Sequence, residues 1–115
     1  AAFWVAARSA AAMAAQGVHV TIGGHGEMPG MDTVWEIVAL QMGGLSPRNA
    51  LKAATIEGAR KLGISSDVGS LGVGYRANLV VLSADPTADV RNLMSVVGVA
   101  RDGVWFGEQL REQER

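Results

Sequence analysis

Gly17-Val18-His19-Val20-Thr21-Ile22-Gly23-Gly24-His25-Gly26-Glu27-Met28-Pro29-Gly30-Met31 decides how the rest of the chain is read. Val18, Val20 and Ile22 alternate with His19, Thr21 and Gly23, the period of a strand with one apolar face. The stretch then opens into a glycine-rich loop with the only close His/carboxylate pair in the sequence, His25 and Glu27. A strand that empties into such a loop, and is followed by a helix, is how an α/β barrel builds its reactive face. Functional side chains gather there at the C-terminal ends of the strands.

Working outward, Ala1 to Gln16 is rich in strong helix formers and is stopped by Gly17. Asp32 is placed to cap a second helix running through Val34, Trp35, Ile37, Val38 and Leu40 to Met42, with Gly43-Gly44 ending it. Ser46-Pro47 opens a third helix, a capping serine followed by proline at the first helical position. Ala50, Leu51, Ala54, Ala59 and Leu62 give that helix an apolar stripe, and Gly63 closes it. Beyond Gly63 the texture turns to β: Asn78 to Leu82 is a continuous apolar strand, Asp85-Pro86 a turn, and Asp89 to Leu93 a single helical turn. Val96 to Ala100 and Val104 to Phe106 flank Asp102-Gly103, a hairpin signal. Glu108 to Arg115 is a charged tail.

The chain has 115 residues, 49% of them hydrophobic and 18% charged, which fits one small domain with a core and argues against disorder. The net charge of −1 with mixed signs points to neither nucleic acid nor an anionic membrane as partner. There is no cysteine, so disulfides and thiolate metal sites are excluded, while the compartment stays open, cytoplasmic or exported. The apolar N-terminal run is interrupted by Arg8 and lacks a basic beginning, unlike a signal peptide. Its length is also short of a bilayer span, which needs roughly 20 residues.

Several separated blocks occur in an order that resembles the C-terminal third of amidohydrolase-superfamily enzymes, of the imidazolonepropionase-like and Xaa-Pro-dipeptidase-like type. These are Leu45-Ser46-Pro47, Ala50-Leu51-Lys52-Ala53-Ala54-Thr55, Ala59-Arg60-Lys61-Leu62-Gly63, Gly69-Ser70, Ala77-Asn78-Leu79-Val80-Val81-Leu82 and Asp85-Pro86. The resemblance implies an α/β fold, the C-terminal fragment of a (β/α)8 (TIM) barrel followed by strands of a small β-sandwich. It assigns residues 1–62 to the end of the barrel, as helix 7, strand 8, helix 8 and an exit helix. Residues 63–107 are assigned to the sandwich, with residues 108–115 as the tail.

The same resemblance implies hydrolysis of amide or cyclic C–N bonds, including dipeptides, with a divalent metal such as zinc activating water. The family's ligands include a His-x-His on the first strand, two later histidines and an Asp after the eighth strand. Here Gly23-Gly24-His25 stands where the Gly-Thr-Asp or Gly-Ser-Asp pattern is usual, and Asn78 replaces the usual Asp of the later block. A neutral imidazole can bind zinc and act as a base near neutral pH, but it lacks a carboxylate's charge, which Glu27 can supply.

The candidate site is therefore His25 as catalytic group and metal ligand, Glu27 as catalytic carboxylate, and Gly24, Gly26 and Met28 as substrate contacts. Against this stands an ordinary structural job for each: His25 ordering the loop through a backbone hydrogen bond, Glu27 as a solvated carboxylate, and the methionines as packing. His19 is expected to be a satisfied interior histidine, and Trp35 to wedge between helix and barrel.

A closed barrel takes roughly 250 residues, so most metal ligands are expected outside this chain, which by itself should be inert. The expected partners are the remainder of the barrel or identical chains, together with a small amide or dipeptide substrate. The alternative is a non-catalytic module or assembly subunit derived from a truncated amidohydrolase gene.

Overall fold

The computed structural model describes residues 2–24, 26 and 28–107. Helix α1 (Ala2–Ala15) ends where Gly17 takes φ 83°, with its N–H donating to Ala14 O and the Val18 N–H donating to Met13 O. These two bonds form a Schellman closure, which needs a left-handed residue after the C-cap and so selects glycine. The same pair of bonds closes α2 (Met31–Gly43) around Gly44 and α4 (Ile56–Lys61) around Gly63.

Helices α1 and α2 pack side by side. A Cβ built at Gly43 would meet the Ala7 carbonyl oxygen at 2.4 Å, so the contact depends on glycine facing alanine. The expected single helix from Ser46 to Leu62 is two. In α3 (Pro47–Ala53) the Ser46 hydroxyl caps the start by accepting from Asn49 N at 3.2 Å. The chain then breaks at Thr55, whose φ and ψ are −129° and −98°, and α4 follows. The Thr55 hydroxyl donates to Leu51 O at 2.8 Å, a local bond with which Thr competes against helix continuation.

Strands β1 (Leu79–Leu82), β2 (Val96–Arg101) and β3 (Val104–Trp105) make one antiparallel three-stranded sheet in chain order, with a bulge between Val81 and Leu82. Asp102 (φ 48°) and Gly103 (φ 81°) form the tight hairpin turn between β2 and β3. Asn78, where the family pattern has Asp, accepts from Asp102 N at 2.7 Å and pins this turn to the start of β1. A sandwich requires a second sheet; the described residues form one sheet only.

The turn expected over Asp89–Leu93 is a 3-10 helix (Val90–Met94) with Asp89 as its cap, accepting from Arg91 N at 2.9 Å. It carries the largest fully buried side chain among the described residues, Val90. Val90 joins Ile37, Leu40, Leu45, Ala50 and Ala53 in one core, so the β-rich half is tied into the helical half. The Val90 N–H also donates to Gln41 Oε1 at 3.0 Å.

The stretch read as a strand, Val18 to Gly23, runs as unpaired chain rather than a ladder. Strand pairing needs a neighbouring strand, and among the described residues the sheet of β1, β2 and β3 does not include this stretch. Its apolar parity holds in part. Val20 and Ile22 pack against the core, while Val18 is half exposed.

Candidate functional site

The loop after Ile22 presents the backbone amides of Gly23, Gly24 and Met28, which no ladder satisfies, and such groups need acceptors. Helix α2 supplies them. A single oxygen of Glu36, Oε2, accepts from Gly23 N at 2.9 Å and from Gly24 N at 2.8 Å. Four residues earlier, on the same face of the helix, Asp32 Oδ2 accepts from Met28 N at 2.8 Å, while the Asp32 N–H donates to Met28 O at 3.2 Å. The spacing of Asp32 and Glu36 is i, i+4, which stacks the two carboxylates one above the other. Asp32 lies in the first turn of α2, where the helix dipole favours negative charge, and Glu36 lies one turn further in.

The capping role expected for Asp32 falls instead to Gly30, with φ 83° and no side-chain cap bond. Asp32 sits two positions inside the helix, where its carboxylate can turn back onto the loop.

The glycines are used for this packing. At Gly26 an added Cβ would lie 1.4 Å from Asp32 Oδ2, so the chain passes directly against that carboxylate. At Gly24 (φ 59°) an added Cβ would meet Thr33 Oγ1 at 3.0 Å. The close approach provided for by these two glycines is thus already taken by α2.

Gly24, Gly26 and Met28, the three expected substrate contacts, line one open hollow of about 430 Å³ together with Phe3, Asp32, Trp35 and Glu36. Met28 and Trp35 are half exposed on its wall. Trp35 is therefore not wedged inside, because α2 turns it toward the hollow with the loop. Met42 is likewise half exposed rather than packed. His25 and Glu27 lie outside the described residues.

His19 belongs elsewhere. It is not interior: its side chain is largely exposed, and Nδ1 lies 2.5 Å from Glu57 Oε2, with Glu57 Oε1 accepting from Arg60 at 2.6 Å. It lines a separate hollow with Lys52, Asn49 and Glu57.

Among the described residues no group of three or more His, Asp or Glu side chains is placed to hold a metal ion. Asp32 and Glu36 come together, but both are engaged by backbone amides. The described donors alone therefore do not make a metal centre. Sequence reasoning missed Glu36 altogether. The signal available was the i, i+4 pair of carboxylates at the start of a helix that follows a loop rich in unpaired amides.

Among known proteins, the amidohydrolase family matches residues 6–106. The imidazolonepropionase of Rubrobacter xylanophilus is 51% identical over 41 residues, covering 36% of this chain and 10% of the relative. The ochratoxinase of Aspergillus niger is 32% identical over 84 residues, covering 71% of this chain and 17% of the relative. Among solved structures, a Xaa-Pro dipeptidase with bound methionine in the active site superposes with a TM-score of 0.78 at 25% identity, over 88% of this chain and 25% of that one. The chain thus spans a quarter or less of the length of these three proteins.

Proposed function

Because the chain belongs to the amidohydrolase family, we propose that it is the part of a metal-dependent hydrolase that carries the reactive loop after the eighth barrel strand. The described residues are part of a barrel-type α/β domain, as in the structural relatives. The substrate class is a small amide, in keeping with a Xaa-Pro dipeptidase and an imidazolonepropionase among those relatives.

The observation that carries this proposal is the hollow. The three loop positions singled out as substrate contacts converge there, on the side of the loop that also holds Trp35 and Phe3. His25 and Glu27 are flanked by these positions in the chain and are the groups proposed to act on substrate. Met28, Trp35 and Phe3 offer an apolar wall for a side chain of the substrate.

The divalent metal, zinc by preference, would be held mostly by residues outside this chain, with His25 the one ligand proposed here. A catalytic zinc usually takes about three protein ligands. On this proposal the purified 115-residue chain is inert toward a panel of dipeptides and small amides with added zinc. When the remainder of the barrel is supplied, hydrolysis appears. His25→Ala then lowers kcat/KM by at least about 100-fold, the scale of a lost acid–base group. His19→Gln, made in the separate hollow beside Glu57, leaves turnover nearly unchanged. Chelator-sensitive hydrolysis by the isolated chain would refute the inertness. Equal activity in His25→Ala and the unaltered protein would remove His25 from the chemistry.

A further inference from the structure

We infer that Glu36 is a positioning residue: its carboxylate holds the Gly23–Gly24 peptide and so fixes the backbone at the start of the glycine-rich loop. The distances carry this. One oxygen, Oε2, takes both successive amides at 2.9 and 2.8 Å, the range of strong hydrogen bonds to a carboxylate. A single acceptor shared by two adjacent amides fixes the orientation of the peptide between them, because rotating that peptide breaks one bond.

Asp32 fastens the far end of the same loop through Met28, and the chain at Gly26 rests against its carboxylate. Thr33 lies beneath Gly24. Both ends of a loop whose described residues pair with no strand are therefore referred to the first two turns of one helix. A rigid element is what a reactive loop needs, since productive geometry tolerates errors of only about 0.5 Å.

Glu36 also lines the hollow, so a direct role in acid–base chemistry is the competing explanation. The two separate by substitution. Glu36→Gln keeps an amide oxygen at the position of Oε2 that can accept from both backbone amides, but it cannot exchange a proton with substrate. Glu36→Ala removes the acceptor.

The decisive measurement is amide hydrogen exchange at Gly23 and Gly24 by NMR on the full chain. Amides within α2 and in the β1–β2 ladder serve as internal controls for folding. Glu36→Ala should speed exchange at both glycines by at least about tenfold, the worth of one such bond, with the control amides unchanged. Glu36→Gln should stay within about threefold of the unaltered chain. Unchanged exchange at Gly23 and Gly24 in Glu36→Ala would overturn the inference.

The effect on turnover rests on the hydrolase function proposed above; the clamp does not. In the completed enzyme, kcat should fall in Glu36→Ala with KM little moved, and Glu36→Gln should restore most of it. Loss of turnover in Glu36→Gln as complete as in Glu36→Ala, with its glycine amides still protected, would overturn positioning in favour of a direct chemical role. If the unaltered assembly shows no hydrolysis at all, the hydrolase function fails while the exchange rates still decide the clamp.

Discussion

Asp85 shows how local bonding tunes a single residue. Its Oδ1 accepts from the Thr87 hydroxyl and from the Thr87 N–H, both at 2.7 Å, closing the turn that follows β1. The Thr87 hydroxyl first, and the backbone amides of Thr87 and Ala88 after it, hold the Asp85 carboxyl below its ordinary value. These groups stabilise the ionised form, so the turn's contribution is fully present above the unfolded value of about 3.9. It is lost as pH falls through the lower, folded value. Carbon-detected NMR titration should place the Asp85 midpoint below that of an unstructured Asp. Thr87→Val, which keeps the amide and removes the hydroxyl, should bring the midpoint back toward it. A midpoint that does not move would assign the effect to the backbone alone.

Among the elements, the 3-10 helix bears more of the fold than its five residues suggest. Val90 is completely buried between α2 and α3, and its N–H is taken by Gln41 on α2. Val90→Ala removes two methyl-sized groups from a close-packed site. At about 0.8 kcal/mol per buried methylene plus a cavity term, it should cost about 2 kcal/mol in urea unfolding. Because Val90 joins both halves, that loss should appear in helix and sheet signals together. A change confined to the sheet would show that the halves unfold separately. The hairpin depends on a close approach of its own: Trp105 lies over Gly98, where an added Cβ would fall 2.2 Å from the indole ring.

For the whole molecule, the core is thin for the amount of apolar sequence. The buried hydrophobic residues among those described are Ala7, Ile37, Ala39, Leu40, Leu45, Ala50, Ala53, Ala59 and Val90, more than half of them alanines. Phe3, Leu62, Leu71 and Val73 are exposed, and the Cα radius of gyration is 14.8 Å against about 13 Å for a compact domain of this length. The backbone from His19 to Ile22 has no ladder partner among the described residues, which leaves strand-like groups open to pairing. The isolated chain should therefore self-associate at tens of micromolar. Sedimentation should give a mass above the 12.0 kDa of one chain. A sharp monomer would show that this exposed surface needs no cover.

What the sequence determined by itself is whatever depends on neighbours within about four residues. Gly17, Gly44 and Gly63 close helices, Ser46-Pro47 opens one, Asp102-Gly103 turns a hairpin, and Asp89 caps a turn, because each signal acts on adjacent backbone. The ordered blocks from Leu45 to Pro86 also carried the family, in agreement with the match over residues 6–106. Of the residues proposed for the site, the structure brings Gly24, Gly26 and Met28 to one hollow. The tertiary structure alone decided what holds that loop. Glu36 reaches Gly23 across 13 residues, and Gln41 reaches Val90 across 49. It also decided that Val18 to Gly23 runs unpaired, since alternation marks which residues suit a strand but pairing requires a second strand at hydrogen-bonding distance. Local chemistry can be read along the chain; which amides find which carboxylate depends on how helix α2 is packed, and that is set by contacts remote in sequence.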